Sequence, residues 1–87
     1  MRSSQIYQEY EQLAEQMDIK FIVGKGQFNG GICILEDAQV IVLNKQKPIE
    51  QKIKKLTQIF SKLDLSNIYI KPIIRELIDS ERELLLL

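Results

Sequence analysis

The chain of 87 residues has no histidine and no tryptophan, a single cysteine, two prolines and four glycines. Without histidine it lacks the commonest general base, the commonest metal ligand and both the Ser-His and Cys-His pairings of nucleophilic catalysis. One cysteine excludes a disulfide within the chain and any zinc site built from several thiolates. A surplus of either charge is missing too. Twelve Lys and Arg balance twelve Asp and Glu, whereas proteins that coat nucleic acid or an anionic membrane carry a basic excess. No uninterrupted apolar run is longer than that at Leu84–Leu87, and a membrane-spanning helix needs about 20 residues. The first residues, Met1-Arg2-Ser3-Ser4-Gln5, lack the apolar stretch of a secretory leader. Together these absences predict a cytoplasmic protein that is not an enzyme and takes neither cofactor nor metal.

What is present is ordinary for a folded domain: 45% hydrophobic and 28% charged residues. The length predicts one domain spanning residues 1–87. Folding at this size buries only about 60% of the unfolded surface, which leaves a lone subunit marginal and favours a partner.

Apolar Ile6, Tyr10, Leu13 and Met17 recur at helical spacing and predict a first helix from Ser4 to Asp18. Ser3 or Ser4 is placed to cap it. Residues 1–19 carry net −3, one Arg against Glu9, Glu11, Glu15 and Asp18. Three β-rich runs follow: Ile19–Val23, Ile32–Leu35 and Val40–Leu43. A glycine-rich loop joins the first two, and Glu36-Asp37-Ala38-Gln39 reads as a tight hairpin turn between the others. A second helix from Pro48 to Leu63 shows the most regular stripe, Ile49, Ile53, Leu56, Phe60 and Leu63. Ile68-Tyr69-Ile70 is an extended link, and Pro72 opens a third helix to Leu85. The predicted fold class is α+β: a three-stranded antiparallel β-meander with helices, in the order αβββαα.

The second and third strands are apolar at every position rather than alternating. Such strands are normally covered on both faces. Two helices cover one face; the other calls for the third helix or a second copy of the chain. The four terminal leucines, Leu84, Leu85, Leu86 and Leu87, either fold back or enter an interface. Ile32, Ile34 and these leucines are therefore the candidate interface. The predicted partner is a second copy, forming a homodimer, or another protein.

Chemistry-bearing residues give little. Gly24, Gly26, Gly30 and Gly31 with Lys25 resemble a phosphate loop, but the loop leads into a strand rather than a helix N-terminus and reads as a flexible connection. Cys33 sits among isoleucines and reads as an inert packing residue. Glu76, Asp79, Glu81 and Glu83, interleaved with Arg75 and Arg82, read as solvated pairs along the third helix. Residues 20–55 hold seven lysines against Glu36, Asp37 and Glu50, net +4. Lys25, Lys45, Lys47, Lys52, Lys54 and Lys55 form a candidate basic patch for an anion or nucleic acid. Lysines crowding a helix N-terminus oppose its dipole, so they are not there for helix stability. No aromatic residue interleaves with them, which disfavours nucleic acid as the partner.

Residues 31–79 resemble a small family of uncharacterised bacterial hypothetical proteins. The similarity lies in Gly31-Ile32-Cys33 before the hairpin, Val40-Ile41-Val42-Leu43-Asn44-Lys45, Pro48, Leu63-Asp64-Leu65, and Ile68-Tyr69-Ile70-Lys71-Pro72 leading to Arg75-Glu76. It implies a bacterial protein and no particular activity. Val40 to Asn44, Pro48 and Ile53 also resemble, loosely, the core of ImmA/IrrE-type zinc metallopeptidases. In that likeness the His-Glu-x-x-His motif would fall on Thr57-Gln58-Ile59-Phe60-Ser61. Thr57 and Ser61 stand in place of the histidines and Gln58 in place of the glutamate. The resemblance thus implies a metallopeptidase-like scaffold without its chemistry.

Overall fold

The computed structural model describes residues 2–85, with Leu85 described for its backbone alone. Three helices and three strands follow in the expected order: α1 (Ser3–Gln16), β1 (Lys20–Gly24), β2 (Gly31–Leu35), β3 (Ala38–Asn44), α2 (Ile49–Ser61) and α3 (Pro72–Leu85). The fold is a small α+β domain.

The sheet is not the expected meander. Its order is β1-β3-β2. β1 runs parallel to β3, with Lys20 opposite Val40 and Gly24 opposite Asn44. β2 runs antiparallel to β3, with Ile32 opposite Ile41 and Cys33 opposite Val40. Burial accounts for the order. Val40, Ile41 and Leu43 are 3%, 0% and 1% exposed, so the most deeply apolar strand takes the centre, where it has a strand on either side. Consecutive strands are neighbours in roughly two-thirds of cases. Here residues 25–30 are long enough to step across the end of β3 instead.

That crossing fixes the glycine loop. A Cβ on Gly30 would lie 2.5 Å from the Val42 carbonyl oxygen, and Gly30 has φ +86°. Only glycine fits where the loop passes this close to a strand. The β2–β3 hairpin, by contrast, closes on Glu36 and Asp37 with φ of 51° and 68°. Positive φ at both central residues suits the twist of the strands they join.

Helix α1 starts differently from expectation. Neither serine caps it; the Gln5 side-chain oxygen accepts from the Arg2 backbone N–H at 2.9 Å. It ends by reversing through Asp18 at φ 58°. Ile19 N–H then reaches back to Ala14 at 2.8 Å and Asp18 N–H to Glu15 at 3.1 Å, which satisfies two terminal carbonyls and delivers buried Ile19 to the core.

One core cluster joins Leu13 of α1, Ile41 and Leu43 of β3, Leu56 of α2, and Ile74 and Ile78 of α3. Tyr10 stacks on Phe60 with ring centroids 5.3 Å apart. Its hydroxyl lies 2.6 Å from the Thr57 hydroxyl. Thr57 donates its own proton to the Ile53 carbonyl, so Tyr10 donates to Thr57. Burial pushes the Tyr10 phenol above its ordinary value, and the Glu81 carboxylate adds to the rise. Helix α3 packs on α2. Its Ile74 and Ile78 join the same core, so it does not cover the second face of the sheet.

Arg82 was expected in carboxylate pairs along α3. Instead its guanidinium donates to the Ser61 and Leu63 carbonyls at 2.9 and 2.8 Å, closing the C-terminal end of α2. Among the described residues, the one ion pair is Lys71 with Glu9, at 2.6 Å.

Candidate functional site

Two surfaces stand out, and the first begins with β2 lying at an edge of the sheet. Alternation along the strands puts Phe21, Ile41, Leu43 and Ile32 on the helix side, and Ile22, Val42, Cys33 and Leu35 on the far side. The Phe28 ring sits over Gly24 at one end of the far side. Elsewhere that side is open along its edge strands, where Ile22 is 44% and Leu35 52% exposed and Cys33 is exposed, while Val40 on the central strand is buried. The expectation that Cys33 is packed inside is therefore overturned, because its edge strand turns it to the side of the sheet away from the helices. The helix side of β2 is also uncovered, with Ile32 38% and Ile34 71% exposed. No charged residue and no proline interrupts Gly31–Leu35.

Of the expected interface residues, Ile32 and Ile34 thus form one exposed patch. Leu84, on α3, is 62% exposed and does not fold back over the sheet. The Leu85 side chain, Leu86 and Leu87 lie outside the described residues.

The second surface is a groove of about 400 Å³ where α2 faces the end of β3 and the loop tip. Lys47 leads into α2, and Gln51, Lys55 and Gln58 follow at helical spacing, flanked by Lys52 and Lys54. Asn29, Leu43 and Asn44 form the opposite wall. Four of the six expected basic-patch residues meet here. Lys25 and Lys45 do not line the groove; both are exposed, and Lys45 extends the β1–β3 pairing by donating its backbone N–H to Gly24 at 2.8 Å.

Asn44 is the residue that composition and spacing did not single out. It is 4% exposed. Its side-chain amide donates to the Gly26 and Phe28 carbonyls at 2.8 and 2.7 Å, and its oxygen accepts from the Gln46 N–H at 2.9 Å. The glycine loop is therefore a fixed wall rather than a flexible connection. No local pattern marks Asn44, because its partners come from a loop that only the fold brings alongside.

Thr57 and Ser61 are buried and serve packing. Thr57 bonds Tyr10 and Ile53 as described, and Ser61 donates to the Gln58 carbonyl at 2.7 Å. Among the described residues, no three His, Cys, Asp or Glu side chains gather where they could share a metal ion, and no helix is long and apolar enough to cross a membrane. No protein-family model matches the chain, and no curated protein and no solved structure matches it either.

Proposed function

We propose that this chain is a non-catalytic module that works by protein–protein contact, pairing with a second copy of itself along β2. The observation that carries this reading is the bare edge. An edge strand offers unpaired N–H and C=O groups to any other strand, and soluble proteins blunt such edges with lysine, proline, bulges or a covering element. Gly31–Leu35 uses neither lysine nor proline and exposes isoleucine and leucine on both its faces.

A second copy suits this edge because the strand is self-complementary. Antiparallel pairing about Cys33 sets Ile32 of one chain opposite Ile34 of the other, twice over, and extends the sheet through a two-fold axis. The balanced net charge raises no long-range repulsion between copies.

Sedimentation equilibrium at about 50 μM should return twice the 10.2 kDa chain mass, since a standard protein interface holds at micromolar concentration. Ile34→Lys should return a monomer, because it places a charge on the paired edge. A mild oxidant should link the wild-type dimer through Cys33, which the antiparallel register puts face to face. Only 10.2 kDa species in the wild type, or an Ile34→Lys protein that stays dimeric, overturns the proposal.

A further inference from the structure

We infer that the groove between α2 and the Asn44-held loop is a binding site for a compact polyanion of the phosphate class, such as a phosphorylated metabolite carrying several charges. It uses none of the residues of β2 and stands or falls separately from the self-association just proposed.

The first support is charge. Lys47, Lys52, Lys54 and Lys55 line one groove, and no carboxylate lines it with them. None of the four is in an ion pair among the described residues, where Lys71–Glu9 is the one pair. A cleft lined by one sign focuses its field and concentrates counter-ions of the opposite sign. In a chain with twelve charges of each sign, gathering four cations along one groove costs electrostatic energy, which Glu50 in the first turn of α2 offsets only in part. Lys52 lies within the first turns of α2 (Ile49–Ser61), so it also opposes the positive end of the helix dipole. Both costs disappear when a polyanion enters.

The second support is construction. The loop wall is held by two hydrogen bonds from the Asn44 side chain, whose oxygen is itself tied to the Gln46 N–H, and Gly30 passes close against β3. A pre-formed wall spares a ligand the cost of ordering it. Gln51 and Asn29 add neutral amide donors between the ammonium groups.

Size and chemistry choose the ligand. About 400 Å³ lies in the range of small-molecule sites. No aromatic side chain lines the groove, so it offers nothing for a base to stack on, as single-stranded nucleic acid requires. Several charges on a small body answer four lysines better than a single carboxylate does.

The test uses inorganic tripolyphosphate as probe, followed by amide chemical shifts on the full chain at low salt. Saturable shifts are expected at Gln51, Lys55 and Asn29, weakening at least about tenfold as salt rises from about 20 to about 200 mM, because screening shortens the reach of the lysines. Lys52→Gln with Lys55→Gln should weaken the probe about tenfold or more, while Lys25→Gln with Lys45→Gln, outside the groove, should leave it unchanged. Lys25 and Lys45 are exposed and Lys52 and Lys55 half-buried, and the shifts far from α2 report that each variant is folded. No saturable binding, equal loss in both double variants, or tighter binding of single-stranded oligothymidylate than of tripolyphosphate overturns the inference.

Discussion

Replacing Asn44 is the sharpest perturbation of this fold, because one side chain makes three hydrogen bonds of 2.7 to 2.9 Å, two to the glycine loop and one to the Gln46 N–H. Asn44→Ala strands the Gly26 and Phe28 carbonyls and the Gln46 N–H. Each protein hydrogen bond is worth about 1 kcal/mol net, so the loss is about 2–3 kcal/mol. For a domain of this size that lowers the thermal midpoint by about 10–20 °C. Asn44→Asp separates the donors from the acceptor. The new carboxylate still accepts from Gln46 but turns an unprotonated oxygen toward two carbonyl oxygens. At neutral pH it should cost about 1 kcal/mol more than the alanine variant. Desolvation and the facing carbonyls raise the folded-state pKa of that carboxyl above its unfolded value of about 4. A raised pKa contributes stability that is present below the unfolded value and lost as pH rises through the folded one. The Asn44→Asp protein should therefore approach the alanine variant in acid and fall below it at neutrality, once acid effects common to all variants are subtracted. Urea unfolding of the wild type and both variants from about pH 3.5 to pH 7 reads this directly. If Asn44→Ala lies within about 0.5 kcal/mol of wild type, or Asn44→Asp shows no extra pH dependence, the loop is not held as argued.

Two further outcomes follow from the packing. Arg82→Met keeps most of the stem but removes the donors to the Ser61 and Leu63 carbonyls; unfolding should cost about 1.5–3 kcal/mol less in denaturant titration, as for hydrogen bonds to a charged group. Because burial raises the Tyr10 pKa, the folded state holds that proton longer than the unfolded one, and stability should fall as pH rises beyond about 10. Tyr10→Phe should show a shallower alkaline decline in thermal melts, besides a uniform cost of about 1 kcal/mol for the lost hydrogen bond; an unchanged slope would refute the linkage.

Much of this fold is legible in the residues. The 3.6-residue stripes locate α1, α2 and α3 to within two residues at each end, because each helix buries one face of its own sequence. The hairpin at Glu36-Asp37 is equally local. Strand order is not, since a run such as Ile19–Val23 carries no mark of which neighbour it will pair with. The exposure of Cys33 was hidden for the same reason: an apolar strand reads as interior until its place at the edge is known. At the lysine groove, four cations were recoverable from the crowding of lysines around the start of the second helix. Asn44 was not, because its role depends on a loop folded against it from 16 and 18 positions away.

The parallel neighbour of β3 has a consequence for biosynthesis. On the ribosome β1 emerges early, yet among the described elements its one strand partner is β3, which is still untranslated. Ile22 and Val23 therefore wait, unzipped, while residues 25–37 are made. The sheet can close on its oldest strand only once its youngest has been made.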